Sequence, residues 1–260
     1  MKTRLLIVIM VCAVVVFPQE KDSSLIATYF KGHSGAMVVY NKNTGQYFRY
    51  NEKRCAQRFL PASTFKIPNS LIGLETGVIQ DENYVIKWDG VERTVKEWNR
   101  DHTLATAIKY SVVPYYQELA KRVGRDRYNE FLQIINYGNN TIGDRVDYFW
   151  LDNSLKISAD EQVEFLKNFY EYKLPFSKCS VDIVKKIIPE EKYANSILKF
   201  KTGGGEKEDG TYIGWLVGYV EKKDNIYFYA FNAEGKTFEE AAELRNNAAR
   251  EILKYLKIIE

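Results

Sequence analysis

Apolar and polar positions change rhythm twice along the chain. A short apolar run, Ala36-Met37-Val38-Val39-Tyr40, breaks at the polar Asn43-Thr44-Gly45 and resumes as Tyr47-Phe48-Arg49-Tyr50, which predicts two strands joined by a tight turn. From about residue 64 to residue 193 the rhythm is helical. Tyr128, Phe131, Leu132 and Ile135 fall at i, i+3, i+4 and i+7, and Ser158 with Glu161 forms a capping box ahead of Val163, Leu166 and Phe169. Strand-like stretches return over 212–220 and 226–231, separated by Lys222-Lys223-Asp224-Asn225, and a final helix is expected over 237–258. No internal repeat or low-complexity linker interrupts this order. Strands at both ends with helices between predict an α+β fold: an antiparallel sheet contributed by both termini and flanked by helices, with a helical lobe inserted at about 64–193. A site is expected in the cleft between the lobes.

The first residues differ in kind. Lys2 and Arg4 precede an unbroken apolar run over 5–17, followed by polar residues, which is a signal-peptide pattern. Thirteen apolar residues are short for a membrane span. Residues 1–19 are therefore expected to be a signal peptide or a retained N-terminal anchor, with one globular domain over 20–260, and the protein to be exported to a periplasmic or other extracytoplasmic space. No clean small-x-small step precedes Gln19, and Val11 before Cys12 does not suit lipid attachment, so the state of the N-terminus stays open.

Charge and composition narrow the chemistry. The 37 basic and 34 acidic side chains are mixed along the whole length, so no basic stripe marks a nucleic-acid partner or a membrane surface beyond the possible anchor. Cys55 and Cys179 could pair in an oxidising compartment, but their spacing decides nothing. His33 and His102 are the only histidines, which argues against a zinc site and makes a Ser-His-Asp triad hard to assemble. A serine nucleophile would then need another base, and Ser63-Thr64-Phe65-Lys66 supplies one: if a helix starts near Ser63, hydroxyl and amine share a face. Pro61-Ala62 before it and the apolar run 67–79 after it support that helix start. Alone, the spacing is weak, since Ser196-Ile197-Leu198-Lys199 repeats it by chance while running into an expected strand.

Ser63 and Lys66 do not stand alone. The ordered set Ser63-x-x-Lys66, Ser111-Val112-Val113, Tyr137-Gly138-Asn139 and Lys201-Thr202-Gly203 resembles the motif series of class D, or oxacillinase-type, serine β-lactamases, and the likeness runs from about Ser34 to the C-terminus. The resemblance implies a β-lactamase/transpeptidase-like fold and hydrolysis of the β-lactam ring of penicillin-type antibiotics, with resistance as the outcome. It implies Ser63 as nucleophile and Lys66 as general base for acylation and deacylation after CO2 adds to its nitrogen (N6-carboxylysine), with no metal or other cofactor. Phe65, Val113, Trp150 and Leu151 would form the apolar pocket around that lysine, the Trp150 N–H donating to the carbamate. Ser111 would relay a proton to the leaving nitrogen beside Lys201, the N–H groups of Ser63 and Gly204 would form the oxyanion hole, and Thr202 and Gly203 would line the substrate site. Many relatives carry an aromatic residue where this chain has Gly204, and the run Gly203-Gly204-Gly205 is expected to loosen the strand edge there.

Periodicity adds Arg245. With Phe238, Ala241, Ala242, Ala249 and Ile252 it falls on one stripe of the last helix, where a guanidinium needs an anionic partner. That partner is either a structural carboxylate or, as the resemblance implies, the carboxylate of the β-lactam. Tyr137-Gly138-Asn139 also suits a plain helix stop that shapes the cleft wall. Two relatives in function compete: a penicillin-sensing receptor domain that stays acylated, and a cell-wall transpeptidase. Both are expected to come with further domains, and Trp150 with the apolar pocket favours the hydrolase because both serve deacylation. The hydrolase is expected to act on small molecules as a monomer or dimer.

Overall fold

The computed structural model describes residues 21–260, so the expected signal peptide or anchor over 1–19 lies outside the described residues. The chain enters through α1 (Lys21–Tyr29) and the hairpin β1 (Gly35–Asn41) and β2 (Tyr47–Tyr50). A single turn, α2 (Glu52–Cys55), is followed by a 3-10 turn over Ala62–Phe65 that runs directly into α3 (Lys66–Glu75). The helical lobe continues through a two-strand ladder, β3 (Val85–Ile86) with β4 (His102–Thr103), and then α4 (Leu104–Lys109), α5 (Val113–Val123), α6 (Arg125–Ile134), α7 (Ala159–Tyr170) and α8 (Lys178–Ile187). The chain returns to the sheet as β5 (Glu190–Lys192), β6 (Ile197–Glu206), β7 (Tyr212–Lys222) and β8 (Asn225–Gly235), and closes with α9 (Phe238–Tyr255).

The main sheet has the order β2-β1-β8-β7-β6-β5. Its pairings are antiparallel, and β1 lies beside β8 with Met37 opposite Phe231, so both ends of the chain build one sheet as expected. Both faces are covered. Met37, Val39, Leu216, Tyr229 and Phe231 face α9 residues Leu244, Ala248 and Ile252, together with Ile26 of α1. Val38, Trp215, Val217, Phe228 and Ala230 face Val163 and Leu166 of α7 and, beyond them, the helical lobe. Burial on both sides explains why β1 reads as a continuous apolar run rather than an alternating one.

Several boundaries differ from the sequence reading. The lobe ends at Ile187 and not near 193, because Glu190–Lys192 adds a polar edge strand, paired to β6 only over Ile197–Lys199. The helix α1 was not foreseen; its apolar positions are few and it is held by packing on α9. The last helix stops at Tyr255, with Thr237 as N-cap accepting from the Glu240 amide. Its buried stripe is centred on Leu244, Ala248 and Ile252, leaving Arg245 at the stripe's edge and Phe238 exposed. The helix stop after α6 is Asn136, in the left-handed region at φ 49°, one residue before the Tyr-Gly-Asn motif. Cys55 is buried and Cys179 exposed, and both are free thiols.

Candidate active site

The site begins with the 3-10 turn. Its period of three stacks residue i on i+3, so Ser63 and Lys66 are brought together more directly than an α-helix start would do. The Lys66 Nζ lies 2.8 Å from Ser63 Oγ. Both lobes pin this turn. The Ala62 amide donates to the Trp150 carbonyl at 3.0 Å, the Trp215 indole donates to the Leu60 carbonyl at 2.9 Å, and Gln162 of α7 donates to Thr64 Oγ1 at 2.9 Å.

Lys66 is only 1% exposed, and burial pulls its pKa down to about 7. Its Nζ sits 5.2 Å from the centre of the Tyr116 ring, and the Tyr116 hydroxyl pairs with Ser70 Oγ at 2.8 Å, which also donates to the Lys66 carbonyl. The Phe65 ring stacks on Trp150 at 5.7 Å and meets Phe149 and Tyr137 edge-on at 5.2 and 5.5 Å. Trp150 is fully buried, yet its Nε1 has no hydrogen-bond partner. Such an orphan donor is expensive unless something else accepts from it. Val113 and Leu151 are half-buried.

Ser111 stands between α4 and α5 at φ 55°, a left-handed backbone that turns the chain between two helices. Lys201 of β6 donates to Ser111 Oγ and to the Thr202 carbonyl, each at 3.0 Å. Burial pushes the Lys201 pKa well down, and the charges of Lys66 and Arg245 add to the effect. Arg245 donates through Nη1 to the Gly203 carbonyl at 2.5 Å, while its buried Nε has no partner. No salt bridge to a protein carboxylate is formed by Arg245 among the described residues, so the structural partner that its burial called for is missing. Burial lowers its pKa to about 10, which leaves it cationic at neutral pH.

The glycine run does not loosen the strand. Gly203, Gly204 and Gly205 stay paired to Trp215, Gly214 and Ile213 of β7. The glycines are needed for close approach: a Cβ on Gly203 would lie 2.9 Å from the Pro61 carbonyl oxygen, and one on Gly205 would lie 2.8 Å from Leu60. The strand edge beyond β5 therefore runs along the Ser63 turn. Asn139 of the Tyr-Gly-Asn motif clamps the opposite loop, its side chain accepting from the Lys156 amide and donating to the Ser154 carbonyl, both at 2.8 Å. Ser196-x-x-Lys199, by contrast, enters β6, where Lys199 pairs with Glu190.

Residues 35–254 match the family of the penicillin binding protein transpeptidase domain. Beta-lactamase OXA-48 of Klebsiella pneumoniae is 48% identical over 225 residues, which cover 86% of this chain and 84% of that protein. The chain belongs to the class D β-lactamases. Solved structures of class D β-lactamases agree: FUS-1 (OXA-85) of Fusobacterium nucleatum subsp. polymorphum has a TM-score of 0.87 at 39% identity, covering 91% of this chain and 99% of that one. The enzyme named YbXI from Nostoc has a TM-score of 0.86 at 38% identity, covering 90% and 99%.

In this class D β-lactamase the fold gathers the site residues around the Ser63 turn and β6: Lys66 meets Ser63, Lys201 meets Ser111 and lies within electrostatic reach of Lys66 and Arg245, Trp150 packs on Phe65, and Arg245 lies against Gly204. Sequence reasoning missed Tyr116 and Ser70 behind Lys66. Only a buried polar position on an apolar helix, such as Ser70 in α3, hinted at them. A separate groove of about 440 Å³, lined by Trp88, Trp98 and Tyr115 among others, lies on the outer flank of α5 and contains neither Ser63 nor Lys66.

Proposed function

We propose that this class D β-lactamase hydrolyses penicillin-type β-lactams through an acyl-enzyme on Ser63, with Lys66 carboxylated by CO2. The observation that carries the reading is the buried, low-pKa Lys66 amine against Ser63 Oγ, beside a buried Trp150 N–H that lacks an acceptor. A neutral amine is the form that adds CO2, and an orphan indole donor suits the anionic group that results. Once Lys66 is carboxylated, the carbamate oxygens on its Nζ would supply the general base for acylation and deacylation, and no metal or organic cofactor is required.

The remaining roles follow from position and charge. Ser63 Oγ attacks the lactam carbonyl carbon as its proton departs toward Lys66. The N–H groups of Ser63 and Gly204, on facing edges of the turn and β6, receive the developing oxyanion, a contribution of about 3 kcal/mol per donor in comparable acyl transfers. As the C–N bond breaks, Ser111 relays a proton to the ring nitrogen, giving up its own and taking in its place the one that Ser63 passed to Lys66, and Lys201 lends positive potential beside it. Arg245 binds the substrate carboxylate with Thr202 and Gly203 along β6, since among the described residues no carboxylate pairs with its guanidinium. Val113 and Leu151 border the apolar pocket that Phe65 and Trp150 fill. Water then attacks the ester carbonyl and Ser63 leaves, restoring the enzyme. Export is part of the proposal and rests on the charged and apolar residues 1–17. No helix among the described residues is long and apolar enough to cross a membrane.

The test is multiple-turnover hydrolysis of a chromogenic cephalosporin in degassed buffer and again with added bicarbonate. Sustained turnover that rises with bicarbonate is expected. A single stoichiometric burst unmoved by bicarbonate would overturn the reading in favour of a sensor or transpeptidase that traps its acyl-enzyme.

A further inference from the structure

The stripe of α9 that carries Arg245 also carries Phe238, two helical turns earlier on the same side, with only Ala241 and Ala242 between them. Phe238 belongs to neither core cluster; it is 42% exposed, a large apolar ring left facing water at the first position of a helix. It is fixed nonetheless. Its ring meets Tyr212 edge-on at 6.4 Å, and the Arg245 guanidinium carbon lies 5.6 Å from its centre.

Gly204 shows what this ring does. A Cβ built on Gly204 would lie 2.8 and 3.3 Å from Phe238 Cε2 and Cζ, and 2.6 Å from Arg245 Nη1. The space that a side chain at this strand position would fill is therefore occupied by an aromatic ring and a cation delivered from the other side, by α9. An exposed aromatic face next to a guanidinium that meets no carboxylate among the described residues matches a ligand that joins a carboxylate to a small apolar ring.

We propose that Phe238 is a specificity-determining residue: it forms the wall against which the carboxylate-bearing ring of a β-lactam packs, in the place where Gly204 has no side chain. This rests on the reading of Arg245 as the carboxylate anchor. Because the wall comes from the first turn of α9 and not from β6, the enzyme discriminates between the five-membered fused ring of a penicillin and the six-membered ring of a cephalosporin through helix α9.

The experiment compares Phe238→Ala, Phe238→Tyr and Arg245→Ala in the purified protein, measuring kcat and KM for benzylpenicillin and a chromogenic cephalosporin. Phe238→Ala is expected to raise KM by about tenfold for one substrate and at least about threefold less for the other, with kcat within about twofold. Phe238→Tyr, which keeps the ring, restores both KM values. A melting temperature close to that of the parent shows that Phe238→Ala is folded. An unchanged KM in Phe238→Ala while Arg245→Ala raises it removes Phe238 from the substrate and leaves the carboxylate anchor standing. Equal KM rises for both substrates reduce Phe238 to a prop for Arg245 and overturn the proposal, as does a loss confined to kcat. An unchanged KM in Arg245→Ala sinks the anchor itself, and this inference with it.

Discussion

Burial lowers the pKa of Lys66, and under the proposed carboxylation this predicts how turnover depends on pH. With its pKa near 7, the amine is mostly neutral above that pH and mostly protonated below it. Only the neutral amine adds CO2, so turnover at fixed dissolved CO2 should rise through pH 7 and fall by about tenfold per unit on the acid side. A kcat that is flat between pH 5.5 and 8.5 would contradict this. Trp150 offers a second handle. Trp150→Phe keeps a ring against Phe65 but removes the orphan N–H, so half-maximal activation should need about tenfold more bicarbonate. An unaltered bicarbonate requirement, measured by titration after degassing, would mean that the indole donates elsewhere. The pair Ser63 and Lys66 was legible in the sequence because a spacing of three is a local contact. Tyr116 was not legible as a neighbour of Lys66: it reaches Lys66 from another helix, and an aromatic residue in a chain so rich in them carries no mark of its place.

At the scale of elements, local signals were dependable where backbone chemistry is local. The capping box Ser158 with Glu161 starts α7, with both reciprocal bonds formed. The hairpin of β1 and β2 and the paired β7 and β8 also follow the turn residues that were read. Motifs that work by packing were misread. Gly138 is not a helix stop: at φ 60° its missing Cβ would sit 2.0 Å from the Lys156 carbonyl oxygen, so it lets the loop after α6 press against the segment that follows Trp150. Gly138→Ala should therefore cost about 1–3 kcal/mol and loosen the Trp150 wall. Thermal melts and the bicarbonate titration together check it: a lower melting temperature with a raised bicarbonate requirement is expected, and an unshifted melt would show that the loop accommodates a methyl group.

At the scale of the molecule, the sheet joins the two ends of the chain, and the separation of its thiols follows from that architecture. Cys55 is sealed under β1 and β2, with its Sγ near the carbonyls of Met37 and Tyr50 and its pKa pushed up to about 12 by burial, whereas Cys179 is exposed on α8. Cys179 should be alkylated in the native protein and Cys55 only on unfolding, as peptide mass spectrometry would read. Melts with and without reductant should coincide, and a reductant-sensitive melt would reveal a disulfide. The strands at both ends with helices between them, and the approach of Ser63 to Lys66, were determined by the sequence alone, because hydrophobic period, caps and i, i+3 contacts are short-range properties of the chain. Which face of α9 meets Gly204 of β6, how β6 runs along the Ser63 turn, and which buried donors go without partners were decided only by the tertiary structure, since each depends on segments far apart in sequence being packed at van der Waals distance.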